Sequence, residues 1–175
     1  PYGFADAAEG SDFRTSGTEA YFKDNDVATA QKLLADAGYP GGKGFPAFTY
    51  LFNTSAKHKA IAEAIQQMWA TNLGIKCTLR NEEFGVFLQD RSALNYDVSR
   101  AGWTADYADP NTFLDLYVTG SGNNDLGYSS KTYDDAIAAE KATSDQAARL
   151  TSMHLAEDTL MKDYAIAPIY FYTQP

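Results

Sequence analysis

The chain has 175 residues, 45% of them hydrophobic, and a formal net charge of −9. That length and apolar content suffice for a buried core and read most simply as a single domain over residues 1–175. The acidic balance, with a pI near 4.5, argues against nucleic acid or an anionic membrane as the main partner, and no apolar run approaches the ~18 residues of a membrane helix.

Residues 1–24 are polar and without periodicity, which predicts an irregular opening segment. Asn25 or Asp26 caps a helix over 27–37, stopped by Gly38 and Pro40. The GGKG loop at 41–44 follows a helix and precedes a strand, the reverse of a phosphate loop, so it reads as a turn. A strand is expected at 48–52. Thr54 or Ser55 then caps the clearest helix, over 57–72, with Ile61, Ile65, Met68, Trp69 and Leu73 on its apolar face and Gly74 at its end.

A strand at 75–80, a short helix at 83–91 and a strand at 96–102 follow. Pro110 opens another short helix, and residues 120–127 form a loop. Helices are expected over 133–142 and 145–162, the second turning Leu150, Met153, Leu160, Met161 and Tyr164 inward. Strands alternating with helices predict an α/β layer architecture. The apolar run at 166–172 reads as a strand close to the end, from which we expect the chain to be a piece of a longer protein.

Cys77 is the lone cysteine. It cannot form an internal disulfide or a cysteine metal site, and its place on the apolar side of an alternating run predicts a buried, inert thiol. No GxSxG, HExxH or Cys/His metal spacing occurs, so no catalytic residue and no metal ligand is assigned.

The stretch RAGWTADYADPNTFL at 100–114 carries the most chemistry. It sets a cation, aromatic rings and carboxylates where an extended run gives way to a loop, a usual place for ligand groups. Trp103, Asp106 and Tyr107 suit a ligand with apolar surface and positive charge. A core tryptophan beside a surface aspartate fits the same residues. His58 lies in the first turn of the long helix, where the dipole opposes protonation, so a charged role needs a nearby anion. Arg91 and Arg100 flank the strand at 96–102; each is suited to carboxylate recognition, and each also fits an ordinary surface ion pair.

Three blocks bring a resemblance with them: NTS at 53–55, NEEF at 81–84 and DVSRAGWTADY at 97–107. In order and relative spacing they resemble the extracytoplasmic solute-binding proteins of peptide ABC importers (family 5), and within them the oligopeptide-binding members. The resemblance runs from the helix near 27–39 to the run at 169–172. It implies a two-lobed periplasmic-binding-protein-like fold that encloses peptide between its lobes. This chain resembles the second lobe, an α/β domain with a mixed sheet flanked by helices.

The resemblance also implies roles. Asp106 matches the aspartate that pairs with the peptide α-amino group. Trp103 and Phe84 match pocket aromatics, Phe84 standing where a tryptophan is found. Arg100, Arg91 and His58 match the cations that neutralise the C-terminal carboxylate of peptides of different lengths. Tyr172 matches a tyrosine near the peptide backbone, a role for which Tyr170 competes.

The implied partners are short peptides, the permease subunits of an ABC importer, and a missing first lobe of the same protein. The implied place is extracytoplasmic, in a periplasm or lipid-anchored at the cell surface, with no cofactor and no nucleic acid. A dipeptide, muropeptide or metal-chelate ligand is the alternative within the class. A peptide hydrolase using Asp106 and His58 is the alternative outside it, and a pheromone sensor or chaperone a third.

Overall fold

The computed structural model describes residues 1–17 and 21–172, so residues 18–20 of the expected opening segment lie outside the described residues. In chain order the elements are helix α1 (Phe13–Ser16), α2 (Val27–Asp36), a 3-10 turn (Pro40–Gly42), strand β1 (Phe48–Asn53), α3 (Ala56–Leu73), β2 (Cys77–Glu82), α4 (Phe84–Ser92) and β3 (Val98–Ser99). They continue with α5 (Asn111–Leu114), a 3-10 turn (Asp115–Tyr117), α6 (Lys131–Lys141) and α7 (Gln146–Lys162). Contacts divide them into two compact units, Phe22–Gly102 and Pro1–Tyr21 with Trp103–Pro175.

The unit Phe22–Gly102 is built on a three-stranded sheet in the order β2-β1-β3. Both pairings are parallel, not mixed, within the expected α/β class. The central strand, β1, is buried from Tyr50 through Asn53, as a strand covered on both faces must be. Tyr50, Phe52 and Cys77 form the core with Ala62 of α3. The Cys77 thiol is buried, as its alternating run predicted, and burial raises its pKa.

The face that α3 turns to the sheet keeps Ile65 and Trp69 of the expected stripe and departs from it at Ala62, Gln66 and Met68. Ala62 is fully buried, Trp69 lies 5.4 Å from Phe48, and Gln66 donates to the Cys77 carbonyl at 2.7 Å. The inward stripe is therefore 62-65-66-69, and Met68 lies off it, 56% exposed. An inward polar residue hid the register: Gln66 satisfies a strand-end carbonyl there.

β3 is two residues long where seven were expected. Asp97 Oδ2 accepts from the Thr49 amide at 2.8 Å and from its hydroxyl at 2.9 Å, so a side chain takes the donor that another strand residue would have used.

In the other unit α6 and α7 pack around Tyr133, Ile137, Leu150, Met153 and Leu160, with Phe13 and Leu114 against them. Asp145 caps α7 by accepting from Ala147 N at 2.9 Å and Ala148 N at 3.1 Å. The opening stretch is not wholly irregular: Asp12 caps α1, accepting from Arg14 N at 2.8 Å. Two expectations fail. Tyr164 turns out, 80% exposed, because α7 stops at Lys162 and Tyr164 takes a positive φ of 53°. The run at 166–172 joins no ladder among the described residues, and Ile169 to Tyr172 are exposed.

Candidate functional site

Parallel strands deliver their carboxyl ends to one edge, and the loops leaving that edge are where open α/β sheets hold ligands. In Phe22–Gly102 those loops begin α3 after β1, begin α4 after β2, and carry Arg100 after β3. Asn53, His58, Phe84 and Arg100 therefore come to one edge although 47 residues separate Asn53 from Arg100. Thr54 ties two of the loops together: its amide and hydroxyl donate to the Glu82 carbonyl at 2.8 and 2.9 Å, and the hydroxyl lies 3.1 Å from Asn81 Oδ1.

Arg100 prolongs β3 by donating its amide to the Leu51 carbonyl at 2.8 Å, and its Nη1 lies 3.5 Å from Asn53 Oδ1. His58 is half-buried in the first turn of α3. Burial lowers its pKa and the Arg100 charge lowers it further, against an opposing contact with the Asn53 main chain. Its Nδ1 is buried without a hydrogen-bond partner among the described residues. A half-buried imidazole beside a guanidinium is a place where an arriving carboxylate gains a charge partner and a nearby group that can take up a proton.

Phe84 opens α4 with its ring exposed, stacked 6.3 Å from Phe87. Arg91 belongs to the same helix. It lies in the last turn of α4, ~10 Å of helix rise beyond Phe84, with its guanidinium carbon 5.6 Å from the Phe87 ring centroid.

The unit Pro1–Tyr21 with Trp103–Pro175 holds the remaining candidates. The Asp106 side chain is exposed, with no ion-pair partner among the described residues, while its amide donates to Thr112 Oγ1 at 3.0 Å. Tyr107 is also exposed, and its hydroxyl lies 3.3 Å from Asn111 Nδ2. Trp103 is half-buried with its indole N–H unpartnered among the described residues. Tyr172 is exposed and meets Tyr170 edge-on at 5.4 Å. An exposed carboxylate without an ion-pair partner among the described residues can take a cation.

Asp109 fastens this loop. It receives Arg149 Nη1 at 2.6 Å and Nη2 at 2.7 Å, and accepts from Asn111 N at 2.9 Å. Burial would raise the Asp109 pKa, but the Arg149 hydrogen bonds outweigh it and hold the carboxyl below the usual range. Asn53, Thr112, Asp109 and Arg149 went unassigned in the sequence, where only the pairing of residues far apart could have singled them out. Among the described residues no group of His, Cys, Asp and Glu is placed to hold a metal ion.

Residues 3–125 match the family described as bacterial extracellular solute-binding proteins, family 5 Middle. The chain belongs to that family. It is similar to the dipeptide-binding protein DppE of Bacillus subtilis, 38% identical over 95% of this chain and 30% of that protein. It is similar to the periplasmic oligopeptide-binding protein OppA of Salmonella typhimurium, 41% identical over 82% of this chain and 26% of that protein. Among solved structures it resembles Haemophilus influenzae OppA in complex with the peptide RPPGFSPFR, with a TM-score of 0.78 and 38% identity over 83% of this chain and 29% of that one. This family 5 chain thus spans about a third or less of the length of the relatives it matches.

Proposed function

We propose that this chain is the second lobe of a family 5 receptor that binds short peptides outside the cytoplasm and passes them to an ABC importer, without chemistry of its own. The rest of the receptor, including a first lobe, lies in sequence beyond this chain. Support comes from family membership and from relatives named for dipeptide and oligopeptide binding. The observation that carries the reading is the gathering of His58 and Arg100 at the carboxyl edge of the sheet beside Asn53. In this reading they receive the peptide C-terminal carboxylate, and Arg91 serves peptides of another length. Asp106 pairs with the α-amino group, Trp103 and Phe84 line side-chain pockets, and Tyr172 lies along the backbone. Fixed charges at the termini leave the side chains between them unconstrained, which suits a receptor for varied sequences.

A dipeptide ligand is the second reading, favoured by the 38% identity to DppE along 95% of the chain. Calorimetry of the complete receptor with di-, tri- and tetra-alanine, each free, N-acetylated and C-amidated, separates the two. The oligopeptide reading expects tri- or tetra-alanine to bind at least ~10-fold tighter than dialanine, with both terminal modifications weakening binding. Tighter dialanine selects the second reading, and no binding of any of them refutes both.

A further inference from the structure

The Asp106 carboxylate sits on an exposed loop, and a clamp for an ammonium group must hold its oxygens within a few tenths of an ångström to gain full strength. The loop's fastening lies elsewhere, on two helices distant in sequence. Arg149 of α7 spends its whole fork inside the protein: both Nη atoms on Asp109, at 2.6 and 2.7 Å, and Nε on Glu140 Oε2 of α6 at 2.9 Å. Glu140 is 2% exposed, and burial pushes its pKa up. Asp109 folds back on the loop, its amide donating to the Tyr107 carbonyl at 2.9 Å. Asp106 N and Asn111 N are then held by Thr112 Oγ1 and Asp109 Oδ1.

The geometry points to Arg149 as a positioning residue for the peptide amine: by bridging buried Glu140 and Asp109 it fixes the loop on which Asp106 presents its carboxylate. The inference rests on the peptide-receptor reading above. Charge follows the same logic. Asp106 and Asp109 are like charges three positions apart on one loop, and Glu140 shares Arg149 with Asp109. Arg149 joins Asp109 to Glu140 and leaves Asp106 as the uncommitted carboxylate, so the cluster keeps a net negative field toward a cation. Without the guanidinium, Asp109 would face Glu140 directly and the loop would be driven off the helices. Lysine cannot restore the bridge, because a point charge does not reach three oxygens in one plane.

The test is the affinity of the complete receptor for trialanine, free and N-acetylated, in the wild type and in Asp106→Asn, Arg149→Lys and Asp109→Asn. Arg149→Lys keeps a cation beside Glu140, and Asp109→Asn leaves the Arg149–Glu140 pair intact, so each variant checks the other against loss of folding. The wild type is expected to prefer the free amine at least ~10-fold, and Asp106→Asn to abolish that preference. Arg149→Lys and Asp109→Asn are each expected to reduce it about tenfold while changing N-acetyl-trialanine affinity less than ~2-fold. A retained preference in folded variants overturns the positioning role. So does a parallel loss for both peptides, which marks a structural effect only. A wild type with no preference overturns the amine clamp itself, and the positioning role with it.

Discussion

Tyr133 donates its phenolic hydrogen to the main-chain oxygen of Leu114, joining α6 to the short helix that follows the Asp106 loop. Both residues are buried, so water cannot replace the bond. Tyr133→Phe keeps the ring and orphans the carbonyl, at a cost of about 1–2 kcal/mol. Chemical denaturation measures it, and an unchanged midpoint would show that Leu114 finds another donor.

Gly74 and Gly41 approach too closely for a side chain. A Cβ on Gly74 would lie 2.3 Å from the Gly41 carbonyl oxygen, and Gly74 takes φ +69°. Gly74→Ala therefore meets both a backbone clash and left-handed strain, and should lose at least ~2 kcal/mol. A thermal midpoint within experimental error of the wild type would contradict the close approach.

His58 makes stability depend on pH with a definite sign. Burial and then the Arg100 charge place its folded pKa below the unfolded value of ~6.5. The folded state binds fewer protons, so this contribution is complete above the unfolded pKa and is lost as pH falls through it toward the folded value. Without ligand, the wild type should lose stability relative to His58→Asn between pH 7.5 and 5.5. Parallel stability curves for the two proteins would remove the effect.

A carboxylate bound beside His58 reverses the balance, raising the folded pKa, so binding of a free-acid peptide should take up protons near pH 6. Calorimetry of the complete receptor in buffers of different ionisation enthalpy reads that uptake directly. It should vanish in His58→Asn and with C-amidated peptide. Uptake that persists in the variant would assign the proton to another group.

Arg100→Gln keeps hydrogen-bonding capacity near Asn53 and removes the charge. We expect it to weaken free-acid peptides about tenfold and C-amidated peptides little, the mirror image of Asp106→Asn at the amine. Equal weakening of acid and amide would move the carboxylate site away from Arg100.

What could be read along the chain is what neighbours in sequence decide. Asp145 caps α7 and Gly74 ends α3 because caps and left-handed stops are local chemistry. The order of strands and helices follows from periodicity, and the stretch at 97–107 carries the family resemblance in its own spacing. Tertiary structure alone decided the rest. Gln66 faces the sheet while Met68 faces out because a carbonyl of β2 needed a donor. β3 is short because Asp97 takes the Thr49 amide. His58, Asn53 and Arg100 share an edge because parallel pairing aligns strand ends whose residues are far apart in the chain. Arg149 reaches Asp109 across 40 positions. Periodicity records only which face of an element is apolar; which polar atoms meet across the fold depends on where the packed elements leave donors and acceptors unsatisfied.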